Sequence, residues 1–412
     1  DEVSVDVPIM ILRTCFHIGV LNTAAMEAIG LNKETAPKYG DLVSLLPNGE
    51  PDGIVKEGFL DALKSRTAGL DLEAIKEMII NAQDKVLAQG LTSLQSDDIG
   101  YTPGNDYDLL FKAFGELEEE GKLHIRLGEQ CLLQETPLIE ELFNKGYHVG
   151  WGSDKCRVTS IKLLADGSLG ARTAYLREPY ADDSSTKGLQ LLSQEKLNEL
   201  TLTSHRYGYP VAIHAIGDGA IEMALNAIEN AKKVDPDHNP RHGIVHCQIT
   251  DEALLNRFKE LDVLAFIQPI FIDYDMNIVT ERVGQELAQT SYAWKTMIDK
   301  GIHASMGTDS PVEPFDTMPN IYSAVTRKNI TGEDKQVYLP DERINMEEAI
   351  YAYTVEGAYA SGEEDIKGTI TVGKFADFII LNRNLFDLDC DEEILDTYVM
   401  ETYIDGELVY RA

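Results

Sequence analysis

From residue 72 onward the apolar positions alternate between two periods. Segments with helical spacing give way to short continuous apolar runs that end in polar or small residues. The spacing predicts helices over 72–88, 107–120, 137–144, 194–207, 220–232, 251–261 and 292–300, the first stopped by Gly90 and the sixth capped by Thr250. The apolar runs predict strands over 91–94, 124–127, 158–165, 210–214, 243–246, 263–268 and 302–306. Strand followed by crossover helix, repeated this often, implies parallel strands closed into an α/β barrel rather than an open sheet. Seven strands are found, whereas a (β/α)8 TIM-type barrel has eight. Strand 1 is therefore the one expected to be missing, with 8–12 as a weak candidate.

The ends of the chain have a different character. Residues 1–60 show a short strand at 8–12, a helix over 21–29 closed by Gly30, and turns over 48–53, the pattern of an insertion subdomain. The barrel is assigned to 61–362 and closes with a helix over 347–360 opened by an Asn345–Glu348 capping box. Residues 363–412 read as short antiparallel strands with Asp405-Gly406 as a hairpin turn, part of a small β-sandwich.

Composition narrows the function classes. The 412 residues carry 70 Asp+Glu against 36 Lys+Arg, a formal charge of -34 that repels polyphosphate and anionic lipid, so nucleic acid and membrane surfaces are not expected partners. No apolar run approaches the ~18 residues a spanning helix needs. Five dispersed cysteines, Cys15, Cys131, Cys156, Cys247 and Cys390, contain no C-x-x-C pair and suit a reducing cytoplasm. A small-molecule substrate is the expected partner, and a homo-oligomer is compatible with the sequence.

Chemistry concentrates where strands end. Lys162 interrupts an apolar strand, and burying an unpartnered ammonium is costly. His214, His246 and Asp309 stand at or just past the ends of three later strands, and in a barrel those ends share one mouth. Imidazole and carboxylate are natural ligands of a cation such as Zn²⁺; lysine becomes one only as a carbamate. Each residue alone also suits a hydrogen-bonding or turn role. Asp218, in the turn after its strand, is a candidate to orient substrate or to cap local structure, and Arg172, in the long loop over 166–188, is a candidate to reach the mouth and contact substrate or to be a surface residue. His242, four residues before His246, is a further candidate for substrate contact or a supporting role.

At these residues the chain resembles a known family. Lys162-Leu-Leu-Ala-Asp-Gly-Ser-Leu-Gly-Ala-Arg-Thr-Ala174, Ala212-Ile-His-Ala-Ile-Gly-Asp218, Arg241-His-Gly-Ile-Val-His-Cys-Gln248, Gly307-Thr-Asp-Ser-Pro-Val312 and Gly373-Lys-Phe-Ala-Asp377 resemble the signature blocks of the metal-dependent amidohydrolase superfamily. Within it they are similar to the subgroup that includes N-substituted formamide deformylase. The resemblance implies a barrel beside a small β-sandwich, holding one or two divalent metals, usually zinc. It implies Lys162 as a carbamylated bridging ligand, His214 and His246 as ligands, and Asp309 as ligand and proton shuttle, with metal-activated water attacking a non-peptide C–N bond. The superfamily's His-x-His pair on strand 1 is absent. That absence, with the missing strand, suggests a chain lacking its N-terminal part, with activity impaired accordingly. The competing expectation is a non-catalytic barrel remnant used for binding or assembly.

Overall fold

The computed structural model describes residues 1–13, 17–60, 71–102, 106–331 and 335–412. Contacts divide the chain into two units, Asp1–Gly69 and Leu70–Ala412.

In the first unit, β1 (Met10–Leu12), β2 (Ile18–Leu21), β3 (Val43–Leu45) and β4 (Pro51–Lys56) form an antiparallel sheet in the order β1-β2-β4-β3. The 8–12 segment is therefore an edge strand of this sheet and not a barrel strand. The helix Thr23–Ile29 starts at Asn22, whose side chain accepts from the Ala25 N–H, and stops at Gly30 in the left-handed region at φ 70°. Val55 and Leu60 are wholly buried in a small core that includes Leu21, Val43 and Phe59.

The second unit is built on a seven-stranded parallel sheet. Its strands are β5 (Ser93–Ser96), β6 (Arg126–Leu132), β7 (Cys156–Leu164), β8 (Val211–Ala215), β9 (Gly243–His246), β10 (Leu264–Ile267) and β11 (Ala304–Met306). They are ordered β11-β10-β9-β8-β7-β6-β5, so each strand neighbours the next in sequence as in a barrel. Among the described residues no further strand joins the edges β5 and β11. Helices Leu72–Ala88, Tyr107–Glu119, Thr136–Asn144, Gln194–Arg206, Asp218–Val234 and Glu252–Glu260 lie between or before these strands, their apolar stripes buried on the sheet. The last of these is capped by the Asp251 side chain, which accepts from Leu254 N–H, and not by Thr250. The Asn345–Glu348 capping box opens helix Met346–Ala360 as expected.

The C-terminal strands β12 (Phe378–Leu381), β13 (Val399–Ile404) and β14 (Glu407–Arg411) form a three-stranded antiparallel sheet. Asp405 and Gly406, at φ 55° and 78°, make the hairpin turn between β13 and β14. This sheet belongs to the same unit as the parallel one. Arg126 joins them at the N-terminal end of β6: its Nε and Nη2 donate to Asp377 at 2.6 and 2.9 Å.

Among the described residues no helix is long and apolar enough to cross a membrane. Cys131, Cys156, Cys247 and Cys390 are free thiols; Cys15 lies outside the described residues.

Candidate active site

Register fixes which side chains share the mouth. Lys162 on β7 pairs with Ala212 on β8, and Leu164 pairs with His214, so Lys162 and His214 occupy the same sheet face. Between β8 and β9 the pairs are His214 with Val245 and Ala215 with His246. Regular alternation would send His246 to the opposite face from His214. It does not, because His246 and Cys247 adopt φ 81° and 50°. For non-glycine residues this left-handed backbone is strained, and here it re-aims the ring. His246 Nε2 lies 2.9 Å from His214 Nδ1, with ring centroids 4.4 Å apart.

The outer nitrogens of the two rings each face an acceptor. His214 Nε2 lies 3.1 Å from Gly167 O and 3.4 Å from Asp166 Oδ1. His246 Nδ1 lies 2.9 Å from Gln268 Oε1, and Gln268 is oriented by its own Nε2 donating to Phe266 O at 3.0 Å. If each outer nitrogen carries its proton, the two inner nitrogens of the neutral rings face each other as lone-pair donors. That arrangement is satisfied by a cation between them, either a third proton or a metal ion. Two imidazoles on one tetrahedral cation at ~2.0–2.1 Å would have their nitrogens about 3.3 Å apart, a small ring displacement from the observed spacing. The donor chemistry thus fits a metal with two ligands. Among the described residues no three His, Cys, Asp or Glu side chains are grouped to complete such a site.

Asp166 holds this arrangement in place. It is fully buried, and its Oδ1 accepts from Ile216 N–H at 3.0 Å while Oδ2 accepts from Gly217 and Tyr175 N–H at 2.9 and 2.8 Å. The loop after β7 is thereby tied to the turn after β8. A Cβ on Gly217 would fall 2.0 Å from Tyr175 O, so only glycine permits this approach. Asp166→Asn is expected to cost about 1–3 kcal/mol, because the amide N–H₂ opposes backbone donors that the carboxylate accepts. Urea unfolding measures it; an unchanged midpoint would show that the loop is anchored elsewhere.

The other sequence candidates separate into two groups. Lys162 is 6% exposed, and its Nζ lies 3.2 Å from Asp97 Oδ2, just past the end of β5. The apolar-strand lysine therefore has a carboxylate partner at the mouth. Asp309 stands just past β11 with φ 57°, at the same end of the sheet. Asp218 opens helix Asp218–Val234, and its Oδ1 accepts from Arg177 N–H at 3.1 Å and Gly219 N–H at 3.0 Å. Burial raises its carboxyl above the usual range, and Arg177 opposes this. Arg172 donates through Nη2 to Asp182 at 2.6 Å within the long loop.

His242 is a correction. It precedes β9 at the N-terminal end, is fully buried, and accepts from Val211 N–H at 3.1 Å. Its Nε2 meets His205 Nδ1 at 2.9 Å, and burial pushes its pKa well down. It braces the far end of the sheet and does not face the mouth. Sequence reasoning in turn overlooked Gln268 and Asp97, although each sits where a predicted strand ends.

These features agree with what the chain is similar to. A model of the amidohydrolase family matches residues 1–410. The chain belongs to the amidohydrolase family. It is 33% identical to YtcJ of Bacillus subtilis over 416 residues, covering 100% of this chain and 75% of that protein. A metal-dependent hydrolase of Pyrococcus horikoshii shares its structure with a TM-score of 0.73 at 30% identity, over 92% of this chain and 72% of the other. The N-substituted formamide deformylase of Arthrobacter pascens is more distant, at 22% identity over 431 residues, 100% of this chain and 75% of that enzyme. Family and structural neighbours together support an amidohydrolase that works as a hydrolase with a divalent metal.

Proposed function

We propose that this amidohydrolase cleaves a non-peptide C–N bond of a small molecule, with His214 and His246 as the pair that holds a divalent cation, zinc being the natural choice for imidazole donors. The observation that carries the reading is the pair of inward-facing nitrogens 2.9 Å apart, with both outer nitrogens on acceptors. A divalent cation there supplies Lewis acidity that polarises a carbonyl and acidifies water. The chain's own residues do the rest. Gly167 O and Gln268 Oε1 fix the ring tautomers, and Asp166 holds the loop beneath His214. Asp309, at the same end of the sheet, is assigned as the carboxylate that accepts a proton from water and returns it to the leaving nitrogen. Lys162 as an ammonium neutralises Asp97; as a carbamate it would be repelled by that carboxylate and serve as an anionic oxygen donor instead. Asp218 and Arg172 are assigned as supports of the loop after β7, through the Arg177 N–H and the Asp182 carboxylate respectively.

The test is to incubate the purified chain with zinc and bicarbonate, remove free metal, and measure metal content and amine release from a panel of N-formyl and N-acyl amines. About one ion per chain and release of amine are expected. A chain that retains no metal, or that retains it and cleaves esters but no amides, would overturn the assignment.

A further inference from the structure

At the N-terminal end of the parallel sheet a second pair of imidazoles is joined differently from the first. His205 lies in the last turn of helix Gln194–Arg206 and His242 directly precedes β9; both are fully buried. Their planes are inclined by 22°, and His205 Nδ1 lies 2.9 Å from His242 Nε2. The outer atoms of this pair meet groups whose roles are fixed. Val211 N–H, at the start of β8, can only donate, and it does so to His242 Nδ1 at 3.1 Å. Asp235 O can only accept, and it lies 2.7 Å from His205 Nε2.

These two neighbours settle where the protons sit. His242 keeps Nδ1 bare and carries its proton on Nε2; His205 carries its proton on Nε2 and keeps Nδ1 bare. One proton therefore stands between the rings, donated by His242 to His205, and all four ring nitrogens are satisfied. The relay runs in one direction, from Val211 N–H through both rings to Asp235 O. It is complete with both imidazoles neutral, and an additional proton has no seat. On His242 Nδ1 that proton would meet the Val211 N–H, and on His205 Nδ1 it would meet the His242 N–H.

The surroundings do not compensate a charge there. Burial, then the proximity of His205 and of the Lys232 charge, hold His242 well below the usual imidazole range. Lys232 itself donates to Leu261 O at 2.6 Å. The Asp235 carboxylate is turned to the exposed His238 at 3.0 Å, and Arg241 is engaged by Glu364 at 2.6 and 3.0 Å. Arg206, beside His205 in the chain, adds further positive charge. Among the described residues no carboxylate contacts either ring. What the relay holds is the connection 235–242 between helix Asp218–Val234 and β9, whose middle, 236–239, is exposed.

We propose that the His205–His242 relay is a pH-sensitive latch: it ties the connection 235–242 to helix Gln194–Arg206 and to β8 while both rings are neutral, and uptake of a proton releases it. The latch stands at the opposite end of the strands from His214 and His246 and is independent of the reaction assigned to them. In the released connection His242 is solvated and titrates near about 6.5, whereas in the latch it stays neutral. The closed form is therefore fully favoured above about pH 6.5 and loses ground as pH falls below it, its opening equilibrium rising about tenfold or more per pH unit.

The experiment is NMR of the full chain labelled with ¹⁵N in histidine and valine. At pH 7.5 both rings are expected as neutral Nε2–H tautomers. Hydrogen exchange of the Val211 amide, corrected for its intrinsic rate, should lose protection about tenfold or more per pH unit between about 6 and 5. The Val158 amide, which donates to Trp151 O at 3.0 Å, should keep its protection over that range. His242→Gln retains an acceptor and a donor but does not titrate, and it should make the Val211 dependence shallower. The tautomers and the paired valine amides are read on the wild type, so the test stands whether or not that variant folds. An Nδ1–H tautomer or an imidazolium at pH 7.5 would overturn the proposal. So would Val211 protection that stays constant or falls only in step with Val158, or an equally steep dependence in His242→Gln.

Discussion

Replacing either His214 or His246 with alanine is expected to lower zinc affinity by at least about 100-fold and to abolish amine release, since each substitution leaves one inner nitrogen without its neighbour. The size of the effect follows from the donor count. Two imidazole nitrogens face each other at 2.9 Å, and among the described residues no group of three His, Cys, Asp or Glu side chains could take over. Gln268→Ala provides the graded comparison. It removes only the acceptor that fixes the His246 tautomer, a loss of about 10–100-fold for an outer partner. The expected order is therefore wild type, then Gln268→Ala, then the two histidine variants, measured by competition with a chelator of known affinity. If the rings were merely structural, the alanine variants would lower the unfolding midpoint and leave metal content as it was.

That ranking depends on a feature the sequence did not reveal. The strands were legible because parallel strands buried on both faces are continuous apolar runs, and the seven runs correspond to β5 through β11. His214 and His246 were legible as polar residues ending such runs. Their contact was not, because alternation places His246 on the wrong face, and only its φ of 81° brings it back. The same neglect of strand geometry misplaced His242. Four residues of extended chain span roughly 13 Å, so His242 and His246 lie at opposite ends of β9 and cannot serve one site. In the first unit β4 was hidden for a related reason: it begins at Pro51 and contains Gly53 at φ 93°, both turn signals out of context. Helices Ile272–Asp275 and Val279–Ala288 also escaped notice, the first for its shortness and the second because Gly284, at φ 79°, interrupts its period.

The largest stability loss is expected at the opposite end of the sheet, in Arg126→Ala, at about 3–5 kcal/mol. Arg126 is 2% exposed; besides Asp377, its guanidinium reaches Asp405 and the Asp154 carbonyl, the latter at 3.1 Å, and it lies 3.7 Å from the centre of the Phe375 ring. Removing it strands Asp377, whose side chain is 6% exposed, with Asp405 N–H at 3.0 Å as its remaining partner among the described contacts. The penalty therefore comes from the carboxylate left behind more than from the attraction lost. Two comparisons isolate that cause. Lys155→Ala deletes a neighbouring pair to the same Asp405, but that carboxylate is 45% exposed, and less than about 1 kcal/mol is expected. Arg126→Met combined with Asp377→Leu removes both charges together and should recover most of the loss, because apolar groups of similar volume carry no desolvation cost. Urea unfolding of the three variants decides the matter. A double variant as unstable as Arg126→Ala would mean that the guanidinium holds the three-stranded sheet through Phe375, Asp154 and Asp405 rather than by neutralising Asp377.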